Sequence, residues 1–412
     1  VTVTPGVVVI GSGHAGAACA RAIRDQGYVG PVTVIGDDAD GTYERPPLSK
    51  GFLKGSATEA EVNRRGRPEL ALQRVELVRG TAARIDRPAR TVHLADGLSL
   101  AYDKLVLATG GRPRRPPIPG MDCPGVLTLR TYADALDLRE RLRRARALVV
   151  VGGGFIGLEV AAVARELGVE TTVLELQPRL LQRALSDPTA RHFHDLHEAR
   201  GAHVRVNAAT ERIDLDPTNG SLVVMTSDQV ATPADLVVVG VGVTPRTELA
   251  EDAGLVVDDG VVVDQHLRTS DPDIYAIGDV ARCRQSPGHS AATRIESVQN
   301  ALDQARFVAR HLVAGVSDSY SAVPWFWSEQ YDQKLQIAGV PGREQDAHVV
   351  RREHGGGFSV FCFEGDVLRS VESVNAAPDH IRARRLLASR TITADDLERN
   401  DFDLRSTLAA VP

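Results

Sequence analysis

Gly11-Ser12-Gly13-His14-Ala15-Gly16 and, about 140 residues further on, Gly152-Gly153-Gly154-Phe155-Ile156-Gly157 share a spacing suited to one task, holding a pyrophosphate. The first glycine of such a run allows a tight turn, the second lets backbone approach the phosphates, and the third lets a helix lie close on a sheet. Phosphate oxygens then face the free N–H groups and the positive dipole end of that helix. Apolar strand formers precede both runs, Val7-Val8-Val9-Ile10 and Leu148-Val149-Val150-Val151, and an Ala-rich helical stretch follows each. An acid stands roughly 20 residues downstream at the end of a second strand in both cases. These are Asp37 after Val32-Thr33-Val34-Ile35-Gly36, and Glu175 after Thr171-Thr172-Val173-Leu174. Such an acid accepts ribose hydroxyls, so two complete copies predict two bound dinucleotides.

The chain has 412 residues, 43% of them hydrophobic, enough for two or three cores. Its formal net charge of −6 gives no sign of a nucleic-acid or polyanion binder. No apolar run approaches the roughly 20 residues that cross a bilayer, and the sequence opens at once on a strand, so the expectation is a soluble, cytoplasmic protein. Cys19, Cys123, Cys283 and Cys362 are scattered, with no Cys-x-x-Cys pair to carry electrons as a redox dithiol. Cys19, within the first helix, reads as a small buried hydrophobe. No His-Glu-x-x-His or paired Cys/His spacing calls for a metal, and His192, His194 and His197 read as part of a solvated helix face.

The elements that must position the two loops follow from the remaining pattern. A proline-rich stretch, Arg112 to Gly120, excludes helix and reads as a crossover into a second nucleotide domain, and Thr244-Pro245-Arg246 reads as the crossing back. Strand patterning resumes over residues 261 to 280, and a long helix runs from about Ser297 to His311. Short strands such as His348–Arg351 and Phe358–Phe361, with an Arg-rich helix around Asp379 to Ser389, form a further domain. The expected architecture is α/β. Residues 1–111 and 247–319 form one Rossmann-like domain, 112–246 a second inserted into it, and 320–412 a C-terminal α+β domain.

Several markers lie beyond general dinucleotide-fold features. They are Arg45-Pro46-Pro47-Leu48-Ser49-Lys50, Ala108-Thr109-Gly110, Gly157-Leu158-Glu159, Ala276-Ile277-Gly278-Asp279 and Pro324-Trp325-Phe326-Trp327-Ser328. With the two glycine runs, they make the chain resemble, over nearly its whole length, the FAD-dependent, NADH-using ferredoxin reductases of bacterial oxygenase systems, which have a glutathione-reductase-like flavoprotein fold.

The resemblance implies that FAD is held by Gly11, Gly13, His14, Ala15, Gly16 and Asp37, with Arg45, Ala83, Ala108, Thr109, Gly110 and Arg130 in further contact. It places Gly278 and Asp279 at the ribityl or pyrophosphate part, and Val298 under the flavin at a helix N-terminus. Lys50 is implied beside the isoalloxazine ring, where an ammonium stabilises negative charge, and Trp325 and Trp327, two apart on a strand, at its edge. NADH is assigned to Gly152, Gly154, Phe155, Ile156 and Gly157, with Glu175 on the ribose, Arg183 and Gly242 nearby, and Glu159 beside the carboxamide and Lys50. An acid at 175 followed by Leu176 and Gln177 leaves no cation for a 2′-phosphate, which favours NADH over NADPH.

Lys50, Glu159 and Trp325 are thus the residues expected to serve catalysis, with no side-chain acid or base essential to hydride transfer. The implied partner is a [2Fe–2S] ferredoxin serving a cytochrome P450 or Rieske-type oxygenase, steered by the arginines of 139–144 or 382–385. The segment Arg282–Thr293 is a candidate to shape that partner surface, and a monomer or weak homodimer is expected. Rubredoxin as acceptor, a flavin oxidase, and an NADH-responsive sensor resembling apoptosis-inducing factor remain as alternatives.

Overall fold

The computed structural model describes residues 5–38, 42–62, 70, 73–218, 220–283, 293–340 and 347–410. Ser286-Pro287-Gly288 and most of the segment 282–293 lie outside them. The chain divides into two compact units. The first comprises residues up to Glu44, Ala60–Arg112 and Val243–Pro324, and the second Arg45–Glu59, Pro113–Gly242 and Trp325 onward.

In the first unit, five parallel strands run in the order Ile274–Ala276, Lys104–Leu107, Val7–Ile10, Val32–Gly36, Glu76–Arg79. Val7–Ile10 and Val32–Gly36 are buried at every position, as parallel strands covered on both faces must be. The helix His14–Asp25 presents Ala15, Gly16, Ala17, Ala18, Cys19, Ala20 and Ile23 to this core, and these small side chains allow a close approach to the sheet. Burial pushes the Cys19 thiol up to about 12, consistent with an inert packing residue. A small antiparallel sheet of Ala82–Asp86, Thr91–Leu94 and Ser99–Ala101 completes this part. The helix Val298–Ala314 is one turn longer at its C-terminus than the sequence reading.

The second unit repeats the scheme, in the order His203–Arg205, Glu170–Leu174, Ala147–Val151, Leu236–Val239, Val126–Leu127, all parallel. Its C-terminal part is a five-stranded antiparallel sheet ordered Trp325–Gln330, Gln333–Gly339, Val367–Val374, Gly357–Glu364, Ala347–His354. Alternation along Gly357–Glu364 serves two cores at once. Phe358, Val360 and Cys362 pack with Leu158, Val163 and Phe193 of the nucleotide-binding part. Phe361 and Phe363 face the other way, onto Ala383, Leu386, Leu397 and Leu404. Those last residues come from the helices Ala377–Ser389, Ala394–Glu398 and Leu404–Ala409. The C-terminal sheet is therefore welded to the nucleotide-binding part rather than standing apart. No helix among the described residues is long and apolar enough to cross a membrane.

One polar contact reinforces that weld. Glu372, fully buried on Val367–Val374, accepts the Ser186 backbone N–H at 2.8 Å and the Ser186 hydroxyl at 2.6 Å, where the helix Asp187–Ala199 begins. It satisfies a helix N-terminus that has no side-chain cap of its own. Burial holds the Glu372 carboxyl above its ordinary value, with the Ser186 and Thr189 hydrogen bonds opposing. A carboxyl whose folded value is raised contributes stability fully below its unfolded value, near 4.5, and loses it as pH rises through the folded one. Glu372→Gln is uncharged throughout. Denaturant unfolding should therefore show the wild type losing stability relative to this variant as pH rises above about 4.5. A pH-independent difference would contradict the assignment.

Candidate functional site

In the first unit, Gly11 has φ +114°, and a Cβ there would stand 2.2 Å from the Ala108 carbonyl oxygen. A Cβ at Gly16 would stand 1.8 Å from the Gly11 carbonyl oxygen. Both positions thus exclude any side chain. The helix His14–Asp25 opens at Gly13 with neither a side-chain cap nor an acid in its first turn. The same holds for Phe155–Glu166, which opens at Gly154. The other described helices of eight or more residues begin differently. Thr131 and Ser297 cap theirs with side chains, and Asp187 and Asp379 place acids in the first turn. The two glycine-loop helices therefore keep free N–H groups and an uncompensated dipole, which fit a pyrophosphate.

Around the first loop the structure gathers most of the expected residues. Gly278, at φ +73°, brings the turn Gly278–Val280 against Ala15, and its N–H donates to Gln304 Oε1 at 2.6 Å. Asp279 lies in the same turn. The Ala108-Thr109-Gly110 strand end lies beside Gly11 and is tied to Arg246. Thr109 Oγ1 donates to the Arg246 carbonyl at 2.8 Å, and the Arg246 N–H donates to the Gly110 carbonyl at 2.9 Å. Arg246 Nη1 also pairs with Asp37 at 3.2 Å, a partner the sequence reading missed. His14 Nε2 lies 3.0 Å from Glu44 Oε2, likewise unforeseen. Ala83 sits at a β-bulge between Ala82 and Arg84, where backbone groups leave the ladder. Ser297 accepts the Asn300 N–H at 3.0 Å, so Val298 is the first residue of its helix as expected.

In the second unit, Gly152 has φ +106°, and a Cβ there would meet the Gly240 carbonyl at 2.6 Å. A Cβ at Gly157 would lie 2.4 Å from the Gly152 carbonyl oxygen. Glu175 accepts the Gly153 N–H at 2.6 Å through Oε2 and the Gln177 N–H at 2.8 Å through Oε1. The candidate ribose acid is thereby held at the mouth of the loop. Arg183 is exposed, with Nη2 3.4 Å from where a Gly242 Cβ would stand, so these two candidates meet. Ile156 is 43% exposed at the loop, while Phe155 stacks at 4.5 Å on Phe326.

A third group, all within the second unit, surrounds Glu159. This carboxylate is 2% exposed. Lys50 Nζ lies 2.8 Å from its Oε2, the Ser49 hydroxyl donates to the same oxygen at 2.5 Å, and the Ser328 hydroxyl donates to Oε1 at 2.7 Å. Pro46 and Pro47 set the short helix Pro46–Ser49 that delivers Ser49 and Lys50. Lys50 Nζ also reaches the Pro46 carbonyl at 3.4 Å. The Lys50–Glu159 pairing was expected, whereas Ser49 and Ser328 were not singled out as its partners. Trp325 and Trp327 share a strand face with ring centroids 5.5 Å apart. The Trp325 ring lies 5.2 Å from His380 and under the Arg384 guanidinium at 4.8 Å. Arg45 and Arg130 are half-buried in this unit.

The solvated-face expectation fails for His192, whose ring packs edge-on against Phe193 and Phe358, and more plainly for His197. His197 does not lie on a solvated helix face. It is fully buried, and its Nε2 lies 2.8 Å from Gln330 Oε1. The C-terminal sheet covers that side of the helix Asp187–Ala199, which a charged local sequence cannot reveal. Burial pushes the imidazole down to about 4, so it is neutral near pH 7. Among the described residues no cluster of His, Cys, Asp and Glu could hold a metal. The four cysteines are free.

Comparison with known proteins agrees with this arrangement. Residues 5–305 match the model of the family described as pyridine nucleotide-disulphide oxidoreductase, and residues 325–408 that described as reductase C-terminal. Rhodocoxin reductase of Rhodococcus erythropolis is 44% identical over 406 residues, covering 98% of this chain and 94% of the relative. The crystal structure of a ferredoxin reductase from Rhodopseudomonas palustris is similar with TM-score 0.91 and 40% identity, over 98% of this chain and 100% of that one. The crystal structure of the covalent putidaredoxin reductase–putidaredoxin complex is similar with TM-score 0.93 and 35% identity, over 99% of both chains. With both glycine loops, the acids Asp37 and Glu175 that follow them and the C-terminal sheet in place, the chain belongs to the pyridine nucleotide-disulphide oxidoreductase family, as a member with the reductase C-terminal domain.

Proposed function

We propose that the protein is an FAD-containing reductase that takes hydride from NADH and passes electrons singly to a [2Fe–2S] ferredoxin of a cytochrome P450 or Rieske-type oxygenase system. The observation that carries this is the pair of uncapped glycine-loop helices, each with its own ribose acid, in a chain without a redox dithiol. Two dinucleotides with no internal disulfide rule out a dithiol relay, so electrons would leave the flavin directly for an external acceptor. The names of the relatives, rhodocoxin reductase and putidaredoxin reductase, point to a small redox protein in that role.

FAD, when bound, supplies a ring that accepts a hydride and releases electrons one at a time. The first unit would hold its ADP half through Gly11, Gly13, His14, Ala15, Gly16 and Asp37, with Ala83, Ala108, Thr109, Gly110, Gly278, Asp279 and Val298 completing the contacts. Residues of the second unit, Arg45, Lys50, Arg130 and Trp325, would serve the rest of the cofactor. Gly152, Gly154, Phe155, Ile156, Gly157, Glu175, Arg183 and Gly242 would bind NADH. The Lys50 ammonium, anchored by Glu159, would place positive charge beside the ring, where negative charge develops on reduction.

For the ferredoxin, the arginines differ in availability. Arg141 and Arg144 pair with Asp137 and Glu140, Arg139 stacks on Phe52 at 4.3 Å, and Arg382 pairs with Asp379. Arg384 covers Trp325, whereas Arg385 is exposed. Arg143 and Arg385 are both exposed, and Arg385 serves as the probe of electrostatic steering.

Anaerobic NADH titration should bleach the flavin spectrum, and a [2Fe–2S] ferredoxin should then reduce cytochrome c rapidly. Fast bleaching with only slow transfer to any ferredoxin would overturn the proposed acceptor. Glu175→Ala should raise the kcat/KM ratio of NADPH to NADH by about tenfold, since the acid repels a 2′-phosphate. A wild type that already prefers NADPH would refute the ribose assignment. Arg385→Glu should raise the KM for an acidic ferredoxin severalfold in a salt-dependent way while leaving NADH–ferricyanide turnover intact. An unchanged KM would remove Arg385 from the docking surface.

A further inference from the structure

Beyond Lys50 and Glu159 runs a buried hydrogen-bonded chain with a single direction. The Tyr331 hydroxyl lies 3.3 Å from His197 Nδ1, and His197 Nε2 lies 2.8 Å from Gln330 Oε1. Gln330 Nε2 donates to Ser328 Oγ at 3.2 Å, and Ser328 Oγ donates to Glu159 Oε1 at 2.7 Å. Ser328, Gln330 and His197 are fully buried, so each polar atom needs its partner inside the protein. The donors and acceptors are mutually consistent in one arrangement. A carboxylate at one end accepts only, so the Ser328 hydroxyl points its hydrogen there and takes one from the Gln330 amide. The Gln330 carbonyl then receives the Nε2–H of a neutral imidazole, whose Nδ1 accepts from Tyr331. Tyr331 is half-buried beneath Arg200, whose guanidinium lies 5.1 Å from its ring.

We propose that Ser328, Gln330 and His197 are positioning residues for the reductive half-reaction, a one-way hydrogen-bond chain that fixes the Glu159 carboxylate and, through it, the Lys50 ammonium. The inference rests on the hydride-transfer reading above. Ser328 pins one carboxylate oxygen while Ser49 and Lys50 hold the other, so the carboxylate plane has no rotational freedom. Bonds aligned head to tail polarise one another and strengthen the last one, at Glu159. Because an amide stands in the middle, the chain transmits orientation rather than protons. Its origin in His197 also explains why a histidine is buried on the helix Asp187–Ala199, against a face of the C-terminal sheet.

Two measurements test this. In protein free of nucleotide, ¹⁵N NMR of labelled histidines, with His197→Gln locating the signal, should show the Nε2–H tautomer at neutral pH, whereas an Nδ1–H tautomer or a charged ring would reverse or break the chain and overturn the proposal. In the FAD-loaded enzyme, Ser328→Ala removes one oxygen, and the single-turnover rate of flavin reduction should fall about tenfold with the Kd for NADH unchanged. Ser328→Thr, which keeps the hydroxyl, should retain the wild-type rate, and Gln330→Met should reproduce the loss. Wild-type reduction rates in both Ser328→Ala and Gln330→Met would show that the chain serves packing alone. A wild type that NADH does not reduce would instead defeat the underlying functional reading and leave the tautomer result to stand on its own.

Discussion

A carboxylate sealed from water must be met by donors from wherever the chain can bring them, and Glu159 imposes that demand on the second unit. Its partners arrive from two distant segments, Ser49-Lys50 and Ser328. Leaving one of them out would strand a buried charge at a cost of several kcal/mol. This requirement accounts for the path of Arg45–Glu59. That segment is flanked in sequence by residues of the first unit, yet it packs with the second. It also requires the strand Trp325–Gln330 to lie against the helix Phe155–Glu166, where Phe326 and Phe155 meet.

The glycine loops obey a different constraint and obey it twice. Both units leave a glycine-loop helix N-terminus without a side-chain cap, as a phosphate site would need, and both hold that helix so close that Gly16 or Gly157 tolerates no Cβ. Four other helices among the described residues are capped by side chains. Thr131 and Thr393 form reciprocal capping boxes, and Ser297 and Asp403 each accept from the first turn. The contrast separates ends built for stability from ends built for a ligand.

The C-terminal sheet links these two themes. Its strand Gly357–Glu364 is buried at every position from Phe358 to Phe363, because both of its faces are covered. One face closes the nucleotide-binding core, and the other carries the last three helices. The same sheet supplies Glu372 to the start of the helix Asp187–Ala199, and Gln330 to His197 on its flank. Binding part and C-terminal part thus share polar as well as apolar contacts.

Local patterns carried much of this in the primary structure. Glycine spacing, strand composition and the downstream acids Asp37 and Glu175 are decided within about 30 residues, so both nucleotide loops were legible without coordinates. Lys50 and Glu159 stood out through the prolines and the loop beside them. Arg246 on Asp37, Glu44 on His14, and the line from Ser328 to His197 were not legible, since their partners lie from 30 to 209 residues apart in sequence. His197 shows the reason most plainly. Its neighbours in sequence are charged, which predicts solvent, but a strand formed more than a hundred residues later covers it. The sequence by itself determined the two glycine turns, because a turn is a property of adjacent residues. Only the tertiary structure decided which buried polar groups face one another, because that depends on how separate elements pack.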